Sequence, residues 1–145
     1  MLNWKKAQAM VEFAVIIPLF IMLIMGIMYS GMIFADYMSF NNIARSSAHE
    51  ASLSEHYDDI YAKHTAADLP AGLYDWDHNN RKDFNIETLY DSQHKINGVK
   101  VTIHASVKKD NSVLVMFSNF LGKDSLFDVD ISYQMYKQDK QDPKN

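Results

Sequence analysis

Asp75, Asp77, Asn79 and Asp83 follow one another at intervals that partly match a calcium-binding loop. Such a loop needs Gly at its sixth position for a sharp turn and a bidentate Glu at its twelfth. Counted from Asp75, those positions hold Asn80 and Ile86, so a solvated loop is the better reading. His49 and His56 are seven residues apart, about two helical turns, too far to share a metal without a third ligand. No Gly-rich phosphate loop, Gly-x-Ser-x-Gly elbow or His-Glu-x-x-His pair occurs. With no cysteine, disulfides, thiolate metal sites and a cysteine nucleophile are excluded. The expectation is a protein that is not an enzyme and that uses no metal and no cofactor. One ionisable group remains chemically odd: Glu12 sits at the edge of a long apolar run, and Pro18 sits inside it.

That run decides the organisation of the chain. The mean hydropathy of -0.24 conceals a division. Residues 13–35 contain no Asp, Glu, Lys or Arg, whereas residues 36–145 hold 17 acidic and 12 basic side chains. A bilayer core of about 30 Å needs roughly 20 apolar residues in a helix. Twenty-three residues rise roughly 34 Å. A cleaved secretory signal has a shorter apolar core, so a retained membrane helix is expected. Lys5 and Lys6 precede it, and Asp36 and then Arg45 follow it. Positive flanks stay in the cytoplasm, which puts the N-terminus inside and the larger part outside. The net charge of -4 lacks the basic surplus of a nucleic-acid binder.

Helical periodicity continues beyond the run. Tyr37, Phe40, Ile43, Ala44, Ser47, Ala48 and Ala51 recur at three- and four-residue spacings, with no Gly or Pro between Met32 and Leu53. One helix from about Gln8 to Leu53 is predicted. Its small-residue stripe would contact either the protein's own domain or other helices. Beyond it, residues 55–63 read as a loosely attached helix, 68–83 as loop, and 85–94 as a short helix with Asn85 as N-cap. Residues 99–107 and 127–136 alternate apolar and polar, the pattern of strands with one dry face. Residues 113–121 are apolar and read as either a short helix or a third strand. The predicted fold class is α+β: a long N-terminal helix with a small antiparallel sheet packed on its outer half.

The N-terminal residues carry a family resemblance. Residues 5–19, Lys-Lys-Ala-Gln-Ala-Met-Val-Glu-Phe-Ala-Val-Ile-Ile-Pro-Leu, resemble the start of TadE-type pseudopilins, the minor pilins of tight-adherence (type IVb-like) pili. Asn41-Asn42-Ile43-Ala44-Arg45 is similar to that family's Asn-x-Ala-Arg after the membrane helix. The resemblance covers about the first 50 residues. It implies cleavage by a prepilin peptidase between Ala7 and Gln8, although Ala7 stands where Gly is more usual in the family. Glu12 would then be the fifth residue of the mature chain. Its carboxylate could pair with the freed amine of a neighbouring subunit, which would offset desolvation and fix register. Pro18 belongs to the same assembly segment.

The organisation that follows is a basic leader (1–7) removed by cleavage, a transmembrane helix (8–35), its extracytoplasmic continuation (36–54), a small exported domain (55–137) and a disordered polar tail (138–145). The expected function is that of a structural pilus subunit. Its partners would be other pilins, the assembly platform, the prepilin peptidase and membrane lipid. The alternative is a permanently anchored accessory or binding protein that never enters a filament.

Overall fold

The computed structural model describes residues 2–54, 56–120, 122 and 127–137, and the side chains of 2–6, 112, 117 and 120 lie outside that description. The expected polar tail and Leu121 fall outside the described residues, as does Glu55. The chain divides into two compact units, Met1–Phe34 and Ala35–Asn145.

Helix α1, Leu2–Leu53, supplies the first unit and begins the second. Leu, Met, Ala and Phe dominate its first part, and Pro18 does not end it. From Ala7 to Phe34 no described side chain is buried. In residues 36–53 the helix has a dry face: Asp36, Phe40, Ile43, Ala44, Ser47, Ala48 and Ala51 are all buried. The spacing is that of a single helical stripe. The small-residue stripe therefore contacts the protein's own domain.

Four strands form the sheet: β1 (Tyr74–Asp75), β2 (Phe84–Tyr90), β3 (Ile96–Val107) and β4 (Val129–Tyr136). β3 is central and antiparallel to all three others. Ile103 pairs with Phe84 on one side and Ile131 on the other, and Val101 pairs with Ile86 and Tyr133. Val99, Val101, Ile103 and Ala105 are buried, so the dry face predicted for β3 is present. Both predicted strands occur, β3 starting three residues earlier and β4 two residues later than expected.

The helix expected over 85–94 does not form; that segment is mostly β2. Phe84 and Ile86 turn inward while Glu87 faces out, a period of two that Asn85, a good N-cap residue, obscured in the sequence. The rest of the segment makes the hairpin turn, where His94 takes a left-handed backbone with φ 58°. Residues 113–121 resolve to helix α3, Ser112–Phe120. Helix α2 is shorter than expected, Asp58–Lys63. The predicted loop after it holds one 3₁₀ turn, Ala66–Asp68, and β1.

Within the second unit the sheet lies along the helix. At one end Asp36 accepts hydrogen bonds from the amides of Ala71 (2.8 Å) and Leu73 (2.9 Å). Tyr57, just past the helix, hydrogen-bonds Thr88 at 3.0 Å at the other end. Between them Phe40 meets Tyr74 and Trp76 edge-on, each at 5.6 Å between ring centroids. Phe84 joins Trp76 to Tyr61 at 5.7 and 5.2 Å. Each such aromatic contact adds about 0.5–1.5 kcal/mol beyond area burial.

Asp36→Ala leaves the buried Leu73 amide without an acceptor, at about 1–3 kcal/mol, and the half-buried Ala71 amide at less. The melting temperature of the aromatic near-UV circular dichroism should fall by about 8 °C or more in the full chain. The exposed Asp59→Ala should change stability by less than about 0.5 kcal/mol.

Candidate assembly and processing segment

Ala7, Gln8, Val11 and Glu12 line one shallow hollow on α1. Gln8 and Glu12 lie one helical turn apart on the same face, and the Gln8 amide donates to the Glu12 carboxylate at 3.4 Å. No Lys, Arg or His among the described residues forms an ion pair with Glu12. The carboxylate is thus presented at the surface of an apolar helix, open to a cation from elsewhere. Pro18 lies six residues further on, still within the helix; without an N–H it leaves the carbonyl one turn earlier short of its usual donor. The whole segment is long and apolar enough to cross a membrane. Phe13, Leu19, Phe20 and Ile27 are each more than 60 % exposed. In water such a surface is unfavourable by about 25 cal/mol per Å². What this segment offers is therefore helix packing, in lipid or against other helices, with one charged group set in it.

The other sequence candidates are not brought together. Asp77 caps a turn by accepting from the Asn79 amide at 2.9 Å, and Asp83 accepts from the Asp77 amide at 3.3 Å. These acids satisfy the loop's own backbone. His49 and His56 are exposed. No group of three His, Asp or Glu among the described residues is placed to hold a metal. In Asn42-Ile43-Ala44-Arg45 the middle pair is core, while Asn42 and Arg45 face outward.

Sequence reasoning missed the residues that hold the sheet to the helix: Asp36, Phe40 as an aromatic anchor, Tyr61 and Trp76. Tyr61 accepts from the Ile86 amide at 2.9 Å on the outer edge of β2, and the Arg81 guanidinium stacks over its ring. Trp76 donates to the Asp83 carbonyl at 3.2 Å. A tryptophan inside an otherwise polar, turn-rich stretch was the available signal, since exposed loops rarely carry so large an apolar group.

Among the described residues, three titratable groups are displaced from their ordinary behaviour. Burial, then the carboxylates of Asp36 and Asp128, push the Tyr74 phenol up to about 12. Burial lowers His64, whose Nε2 has no partner among the described residues, against the opposing pull of Asp68. On the polar face of the sheet, the hydrogen bond that His104 Nδ1 donates to the Asp130 carboxylate across the β3–β4 pair, at 2.5 Å, raises His104.

Residues 7–49 match the TadE-like protein family. This is a pilus-associated family of structural proteins. The TadE-like segment contains Ala7, Gln8, Glu12, Pro18 and most of the helical face that the sheet covers, and it ends before the first strand. No curated protein and no solved structure matches the chain.

His104 and His64 have opposite pH signatures. A raised His104 contributes stability that is present below its unfolded value of about 6.5 and is lost as pH rises through its folded value. A lowered His64 removes stability as pH falls below about 6.5 toward its folded value. In an NMR titration, His104 should titrate above and His64 below the ordinary histidine value. Asp130→Asn should bring His104 back without moving His64.

Proposed function

We propose that this protein is a minor pilin, or pseudopilin, of a tight-adherence-type pilus. It is held in the cytoplasmic membrane by residues 8–35 with its N-terminus inside and the sheet domain outside. A prepilin peptidase cuts between Ala7 and Gln8, and the subunit then joins other pilins through the exposed apolar part of α1. The observation that carries this reading is Glu12: a carboxylate with no ion-pair partner among the described residues, on an apolar segment of α1 with no buried side chain, within the TadE-like match.

The chemistry of Glu12 gives it a task. A carboxylate within hydrocarbon is costly, and a cationic partner offsets that cost. Cleavage after Ala7 would create such a partner, the α-amine of Gln8, which is protonated at neutral pH. Within one chain Gln8 and Glu12 are only a turn apart, so a neighbour's amine is the partner that also sets register between subunits. The stripe of Ala44, Ser47, Ala48 and Ala51 is used up by the protein's own sheet. Contact with other subunits therefore rests on the apolar segment.

Mass spectrometry of protein made beside its peptidase should show a chain starting at Gln8. An intact leader under those conditions counts against the reading. Protease added outside cells stripped of wall and outer membrane should digest the sheet domain.

Glu12→Ala should insert and be cleaved normally but be lost from sheared pili. An unpaired partner amine in a low-dielectric interface costs on the order of 3–5 kcal/mol, several hundredfold in association. Glu12→Asp should be intermediate. Normal incorporation of Glu12→Ala at normal abundance would leave Glu12 as a headgroup-facing residue and favour the anchored accessory protein.

A further inference from the structure

The two edges of the sheet are finished differently. On the outer edge of β2 the Phe84 amide donates to the Asn80 carbonyl at 2.9 Å, and the Ile86 amide to the Tyr61 hydroxyl at 2.9 Å. Next along, the Thr88 hydroxyl meets that of Tyr57. The outer edge of β4 has no such cover among the described residues. Its hydrogen-bonding phase follows from its end. The Lys137 amide donates to the Asn97 carbonyl at 2.9 Å, and the register runs from Gly98–Tyr136 to Ala105–Val129 without a break. In an antiparallel ladder alternate residues address the same neighbour. Val129, Ile131, Tyr133 and Met135 therefore bond β3, whereas Asp130, Ser132, Gln134 and Tyr136 direct their amides and carbonyls away from it. The other side of β3 agrees. There the His104 amide donates to the Asp83 carbonyl at 2.8 Å, which leaves Ile103, Val101 and Val99 to bond β4.

We propose that the outer edge of β4 is a docking site for an extended strand of another protein. That strand adds to the sheet antiparallel to β4, with a basic side chain opposite Asp130 and apolar side chains opposite Ile131, Tyr133 and Met135. The edge lacks the usual protections of an open strand, which are bulges, Pro and charged side chains, Lys above all. Val129–Tyr136 contains no Gly, Pro, Lys or Arg and no bulge, and Asp130 is its one charge. Four outward amides and carbonyls at strand spacing match the backbone of another extended chain. Side chains complete the specification. Tyr133 and Met135 are half-buried on the dry side of the sheet, so apolar surface remains beside them for a neighbour. The Asp130 side chain, on the polar side, is 76 % exposed beside His104. Opposite charges on paired strands are favourable, and like charges are not. A second copy does not supply the base: its β4 brings another acid, and its β2 edge is already occupied. Every residue in this inference belongs to the sheet, so it does not depend on the pilin reading.

The test uses the full chain, isotopically labelled in detergent micelles, and one probe, the capped peptide Thr-Val-Thr-Val-Thr-Ile-Lys. Laid antiparallel to β4 with its first residue opposite Tyr136, it puts its Lys opposite Asp130. Without peptide, amide hydrogen exchange should be slow at Ile131, Tyr133 and Met135 and fast at Asp130, Ser132, Gln134 and Tyr136. With peptide, the four fast amides should become protected, while Phe84 and Ile86 on the other edge stay unchanged. Gln134→Pro removes an outward donor and no bond to β3, so the melting temperature of the domain should hold. Its affinity for the peptide should fall about tenfold or more, and Gln134→Ala should bind normally. Replacing the peptide's Lys by Thr should weaken binding up to about fivefold, and Asp130→Asn should remove that difference. Slow exchange at the four amides before peptide is added, at every protein concentration, would show the chain's own residues on this edge and overturn the inference. Protection that grows with protein concentration would show a second copy there and overturn it too. So would fast exchange at saturating peptide, or normal peptide binding by Gln134→Pro. A lowered melting temperature for Gln134→Pro would place that amide on β3 and overturn the register on which the site is built.

Discussion

A carboxylate with no exposed surface, Asp36, sets the geometry of the sheet domain. A buried charge is tolerated only when its lone pairs are occupied. Asp36 meets that condition by accepting two amides from the loop around Gly72, whose left-handed φ of 61° turns the chain back on itself. The loop is thereby tied to the first helical residue after the apolar run. Leu73 then fixes β1 and the end of β3. The height of the sheet along α1 follows from that single clamp.

Given the clamp, the small residues on α1 have a clear purpose. Ala44, Ser47, Ala48 and Ala51 are buried on the covered face, and Phe40 meets Tyr74 and Trp76 edge-on. The same stripe cannot also serve a neighbouring subunit. The covered face of residues 36–53 carries the domain, and the apolar residues before it stay exposed; the proposed function gives that exposed part to lipid and other helices. Glu12 lies in that exposed apolar part, and under the proposed function a cationic partner would offset the cost of its charge there.

The sheet keeps its polar face to solvent. His104 pairs with Asp130 across β3 and β4, and the Tyr61 hydroxyl takes up an amide on the outer edge of β2. Capping an edge donor in this way limits the template that an open strand offers to other chains.

Much of this protein was legible in its sequence, because the signals are local and periodic. Twenty-three uncharged residues describe a membrane-length helix, the spacing from Tyr37 to Ala51 continues it, and alternation at 99–107 and 127–136 gives two strands whatever surrounds them. The segment around Ala7, Gln8 and Glu12 was recognisable for the same reason, since its residues are neighbours in the chain. The strand at Phe84–Tyr90 was not, because Asn85 fits a helix cap as well as a strand and only pairing with β3 decides between them. The roles of Asp36, Tyr61 and Trp76 were equally hidden. Asp36 contacts residues 35 and 37 positions away, and Tyr61 one 25 positions away. A bond closed over that distance leaves no pattern in neighbouring residues, so it exists only once the helix and the sheet are brought together.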